Sequence, residues 1–278
     1  MIYPKFSKSA LIFVTATALL FNCTKKKEDE PTPVPVVVPP AEVKSTTYQL
    51  DAKELGNSGT AVFTEKSGGQ TIVDLNIKNI SVGSGPYLAH IHIKSAAETG
   101  DPVYLLTPVN DKGQSSTVIN VAYSELINYD GYINVHKNAT SLLSQGDIGG
   151  NVLTGDKKEY TIAEANTSGV GSGILLLQKR KNGNTLATLT FPGAISTDSY
   201  PIKIRNGNIG AIEGELLLKL QNNVDGYSKM AKNTIRTLKG VSANYDALLN
   251  QTMYLEVYKS SIGLDSTKVI ARANIGKN

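Results

Sequence analysis

Tryptophan is absent from this chain of 278 residues, and phenylalanine occurs only 5 times. Its cores must therefore be built from Val, Ile, Leu and Tyr. Cysteine occurs once, at Cys23, which excludes an intramolecular disulfide framework. Charge is nearly balanced, 28 basic against 24 acidic residues for a net +4, with no Lys/Arg block interleaved with aromatics. A nucleic-acid partner is therefore not expected. No Gly-x-Ser-x-Gly is present, and Gly146 to Gly150 closes a repeat rather than opening a phosphate-cradling helix. Catalytic residues are accordingly not assigned, and the chain reads more as a binding protein than as an enzyme. What remains is 40% hydrophobic and 19% charged, the balance of a soluble globular protein.

The N-terminus reads as an export signal. Lys5 and Lys8 precede a short apolar stretch, Ala10 to Phe21, that falls well below the roughly 20 residues a membrane-spanning helix needs. Leu19-Leu20-Phe21-Asn22-Cys23 resembles a bacterial lipobox, with Asn22 in place of the usual small residue. The resemblance implies signal residues 1–22, a mature end acylated (palmitate among the chains) at Cys23, and a lipid anchor in the cell envelope. The outer membrane, with surface exposure, is the expected location. Residues 23–44 carry a charged patch and then Pro31, Pro33, Pro35, Pro39 and Pro40, which suits an extended, disordered stalk.

From Ser45 onward, short alternating apolar runs are punctuated by Gly, Asn and Asp, the pattern of an all-β sandwich. Strands are expected at 60–64, 71–77, 103–106, 116–121 and 131–136, with one helical turn over 122–128. The pattern also repeats. Ser58-Gly59 through Gly69-Gln70-Thr71 matches Ser172-Gly173 through Gly183-Asn184-Thr185, and Tyr123 to Asn128 matches Tyr245 to Asn250. Tyr132, Val135 and Lys137 fall on Tyr254, Val257 and Lys259, and Ile148-Gly149 on Ile275-Gly276. The chain is thus expected to hold two tandem immunoglobulin-like or Greek-key sandwiches, over 45–157 and 168–278.

All three histidines lie in the first copy: His90 and His92 within Ala89-His90-Ile91-His92, and His136 closing Gly131 to His136. Residues i and i+2 of a strand share a face, so His90 and His92 project together. With His136 from a neighbouring strand they form a candidate copper or zinc site, and Glu98, Asp101 and Asp147 are the local carboxylates that could complete it. In the second copy Ile202-Lys203-Ile204-Arg205 aligns on Ile91 to Lys94, Pro201 falls opposite His90, and Tyr258 aligns on His136. The histidines are lost there together, as a working set would be. The alternative is that they are polar residues hydrogen-bonded to backbone carbonyls.

Ala89 to His92, Gly100-Asp101-Pro102-Val103, Gly131 to His136 and Gly146 to Asn151 together resemble the chordin-type (CHRD) domain. The resemblance covers about 49–155 well and 169–278 weakly, and it implies an immunoglobulin-like β-sandwich or a Greek-key barrel without a defined activity. A weaker similarity, to copper/zinc superoxide dismutases, stops at the His-x-His. Three histidines and one cysteine cannot supply the bridged two-metal site and disulfide of those enzymes.

Within Gly226 to Gly240, Lys229, Lys232, Arg236 and Lys239 fall at helical spacing opposite Met230, Ile235 and Leu238. A short amphipathic helix is expected over 226–241. Its basic face is either simply solvated or turned toward anionic lipid or polysaccharide. The combined reading is a stalked, non-enzymatic binding or adhesion module for a protein or glycan ligand, with metal binding as the competing function.

Overall fold

The computed structural model describes residues 42–277 except 55, 82, 166, 167, 196 and 211. Cys23 and most of the expected stalk lie outside the described residues.

Eight strands form the first sheet: β1 (Ser45–Ala52), β2 (Gly59–Lys66), β3 (Gln70–Ile77), β4 (Tyr87–Ile93), β5 (Pro102–Val109), β6 (Gln114–Ile119), β7 (Gly131–His136) and β8 (Leu142–Ile148). A helical turn, α1 (Tyr123–Leu126), sits between β6 and β7 where one was expected. The order is β5-β4-β7-β8-β1-β2-β3-β6, with every pair antiparallel. β1 pairs with β2 along 45–50 and with β8 through Asp51 and Ala52, so one strand serves both layers of the sandwich.

Alternation explains the core. Ala61 and Phe63 of β2, and Val73, Leu75 and Ile77 of β3, are buried, while Thr60, Val62, Thr64 and Asp74 between them are partly exposed. Tyr48 meets Phe63 edge-on at 4.9 Å, a core contact supplied without tryptophan.

The second half is built from β9 (Leu153–Glu164), β10 (Gly173–Arg180), β11 (Thr185–Thr190), β12 (Ser199–Tyr200), β13 (Ile202–Asn206), β14 (Leu216–Lys219), β15 (Val224–Asp225), β16 (Met230–Ile235), the small hairpin β17 (Thr237–Leu238) and β18 (Val241–Ser242), α2 (Tyr245–Leu249), β19 (Thr252–Tyr258) and β20 (Val269–Gly276). Its sheet runs β12-β15-β16-β11-β10-β9-β20-β19-β13-β14. Read from β14 to β16, this is the order of the first sheet strand for strand, with β12 and β15 added at one edge. The second sheet begins at Leu153. Residues expected to link the halves form its longest strand, which pairs with β10 and β20 as β1 pairs with β2 and β8.

The helix expected over 226–241 is replaced by strands and turns. β16 pairs with β11 and alternates, with Ala231, Asn233 and Ile235 buried against exposed Met230 and Lys232. Thr234, Ile235 and Thr237 are β-branched, and the segment is broken by left-handed Lys229, Lys239 and Gly240. Two of the cations are paired: Arg236 with Glu98, and Lys239 with Glu215.

Both halves belong to one compact unit, Glu42–Asn278. Ser95 Oγ lies 2.7 Å from Thr234 Oγ1, and Asn222 donates to the Ala97 carbonyl at 2.7 Å. Arg236 grips Glu98 through two bonds of 3.1 and 2.8 Å. Among the described residues no helix is long and apolar enough to cross a membrane.

Candidate metal centre

β4 and β7 are neighbours, with His90 opposite Asn134 and His92 opposite Tyr132. Ala89 and Ile91 point into the core, so His90 and His92 must point away from it, onto the face that also carries His136 two residues beyond Asn134. The imidazole centroids are 5.7 Å apart for His90–His92, 5.3 Å for His90–His136 and 6.5 Å for His92–His136. One nitrogen from each ring lies within 4.8 Å of the others. Nitrogens sharing one tetrahedral zinc or copper ion at 2.0–2.1 Å sit about 3.3 Å apart, so the widest pair needs to close by about 1.5 Å.

His92 is the best fixed of the three. It is buried, its Nδ1–H donates to the Gly100 carbonyl at 2.8 Å, and the Tyr132 ring stacks on it at 4.8 Å and 19°. A carbonyl can only accept, so Nδ1 carries a proton and Nε2 is the nitrogen left to face a ligand. Gly100 is held in turn, its N–H donating to Tyr132 Oη at 2.9 Å. A side chain at Gly100 would run into the Ile93 carbonyl oxygen, so this close turn needs glycine. Behind the histidines, buried Gln145 donates to Asn134 at 2.9 Å.

The Nε2 atoms of His92 and His136 are buried and have no hydrogen-bond partner among the described residues. Burial, then the neighbouring imidazoles, holds the His90 pKa below that of a free histidine. Burial and His92 do the same for His136. Neutral rings with inward lone pairs are the form in which imidazole binds metal. These three side chains are placed so that they could hold a metal ion.

The carboxylates expected to help are not gathered here. Glu98 is taken up by Arg236 and by the Ser95 hydroxyl, whose hydrogen bonds outweigh desolvation and keep its pKa low. Asp147 accepts from the Ala96 N–H at 2.8 Å and lies 2.9 Å from Arg180. Asp101, exposed at the mouth of β5, is outside the cluster of ligand atoms.

The second half carries the same framework with different chemistry. Tyr254 Oη accepts from the Gly214 N–H as Tyr132 does from Gly100, and the Gly214 carbonyl accepts from Arg205 as that of Gly100 does from His92. Ile91 pairs with Ile133, and Ile204 with Leu255. His90 therefore corresponds to Lys203 and His92 to Arg205, two residues away from the alignment read in the sequence, while His136 does correspond to Tyr258. A slip of two leaves every side chain on its own face, so the Ile-x-Ile pattern could not reveal it. Asn134 and Gln145 become Glu256 and Arg272 by the same pairing. Arg205 bonds Glu256 at 2.8 Å, Arg272 lies 3.1 Å from it, and the Lys203 ammonium sits 3.9 Å over the Tyr258 ring. A network of charged side chains stands where the first half holds imidazoles.

No family model, curated protein or solved structure matches the chain. The likeness to the chordin-type domain rests on its motifs alone.

Proposed function

We propose that this chain is a non-enzymatic envelope lipoprotein of two chordin-type domains, anchored through Cys23 in the outer membrane, whose first domain binds one copper or zinc ion. The observation that carries the reading is the convergence of one nitrogen each from His90, His92 and His136 within 4.8 Å, two of the three histidines having a buried Nε2 with no partner among the described residues. Buried polar nitrogens left without partners carry a cost that a metal ion removes. The fixed tautomer of His92 marks it as the anchoring ligand. A fourth position open to small ligands suits a metal-handling protein. The protein or glycan adhesion expected from stalked sandwiches rests on architecture alone.

Copper(II) titration of the full chain, followed by electron paramagnetic resonance, tests this. Saturation at one equivalent, with hyperfine structure from nitrogen ligands that His92→Ala abolishes, is the expected result. A spectrum unchanged in His92→Ala would refute the assignment.

A further inference from the structure

A second site lies away from the histidines. The two halves border an open pocket of about 390 Å³, within the range of small-molecule sites. Asp51, Lys53 and Asp147 line it from the first half, and Arg180, Thr188 and Lys232 from the second. Further hydrogen-bonding capacity comes from side-chain amides on both walls.

Arg180 is the unusual member. Its side chain is 0% exposed, yet Nε and Nη1 have no acceptor among the described residues. Nη2 lies 2.9 Å from Asp147 Oδ2 without the alignment of a hydrogen bond. Asp147 is shared, since it also accepts from the Ala96 N–H. A buried guanidinium with free donors is costly unless something accepts from them. At the rim, Lys53 and Lys232 are exposed, and neither has an ion-pair partner among the described residues. Desolvation, and then the charge of Lys232, lowers the Lys53 pKa, so these groups repel where no anion lies between them. Three cations face two carboxylates.

We propose that this cavity binds a small oxyanion of about monosaccharide size, an acidic sugar held through its carboxylate or phosphate by Arg180, Lys53 and Lys232. The planar guanidinium suits a carboxylate or phosphate oxygen pair, and the amides and the Thr188 hydroxyl suit sugar hydroxyls. The site draws on both halves, so neither domain forms it alone.

Isothermal titration calorimetry on the full chain tests the proposal with glucuronate, glucose 6-phosphate, inorganic phosphate and glucose. Saturable binding of either sugar acid, at least tenfold tighter than glucose, is expected. A preference between the two assigns carboxylate or phosphate as the recognised group, and inorganic phosphate binding as tightly as the sugar acids assigns a free phosphate to the same oxyanion site. Lys53→Gln/Lys232→Gln, at the exposed rim, should keep the thermal midpoint of the free protein and weaken binding at least tenfold. Arg180→Gln should abolish binding if it folds, and the rim variant carries the test if it does not. Failure of the wild-type chain to bind any of the three anions better than glucose would overturn the proposal. So would equal binding by the rim variant.

Discussion

His92 and Arg205 occupy the same place in two copies of one fold, each donating to the carbonyl of a glycine, Gly100 or Gly214, whose own N–H is held by a tyrosine. The scaffold was kept while the chemistry on it changed. In the first half an imidazole keeps its second nitrogen buried and without a hydrogen-bond partner among the described residues. In the second a guanidinium is neutralised by Glu256.

If the two positions are equivalent, the site can be moved. Lys203→His, Arg205→His and Tyr258→His, combined with Glu256→Asn and Arg272→Gln to remove the uncompensated charges, should raise metal content from one to two equivalents. Elemental analysis after dialysis checks this, and a value that stays at one would show that the second framework cannot bring the rings together.

Tyr132 acts on the site through Gly100 and through its stacked ring. Tyr132→Phe keeps the ring and removes the acceptor for the Gly100 N–H, so it should cost about 1 kcal/mol in urea unfolding. It should also weaken metal binding about tenfold in chelator competition, because a loosened Gly100 no longer orients His92. Unchanged affinity would mean that the turn stands without that bond.

The junction between the halves is stabilised unevenly. Asp147→Asn strands the fully buried Arg180 and should cost roughly 3–5 kcal/mol. Arg236→Gln, at a guanidinium that is 33% exposed, should cost only about 1–2 kcal/mol because water replaces it. Denaturant midpoints rank the two. The reverse order would place the main inter-half contact at Glu98 rather than Asp147.

How much of this was legible in the sequence follows from the physics of strands. Alternation in β2 and β3, the turn of α1 and the His-x-His face could be read because each depends on local spacing. The register of β4 against β13 could not, since a two-residue slip preserves facing. The segment around Lys232 was misread because its cations fall at helical spacing, while pairing with β11 imposes a period of two. Glu98 and Asp147 looked available because they lie near the histidines in the chain. Their partners, Arg236 and Arg180, are distant in sequence, and no local signal announces them.

Alkaline titration probes the charge network of the second half. Burial, then the hydrogen bond to Glu256, pushes the Tyr258 pKa up to about 12 from 10.0. The folded chain keeps this proton where the unfolded chain loses it. The resulting stabilisation is full below pH 10 and is lost as pH rises through about 12. Tyrosinate absorbance of wild type minus Tyr258→Phe should show one group titrating near 12, and a difference curve centred near 10 would contradict the buried bond.

The most direct measurement is metal content by elemental mass spectrometry of the full chain, loaded with copper or zinc and dialysed, beside His90→Ala/His92→Ala. Near one equivalent of copper or zinc in the wild type, lost in the double variant, is the predicted result. A wild type that retains no metal after loading, or a double variant that retains as much, would contradict the account and leave the three histidines as structural residues of the β4–β7 face.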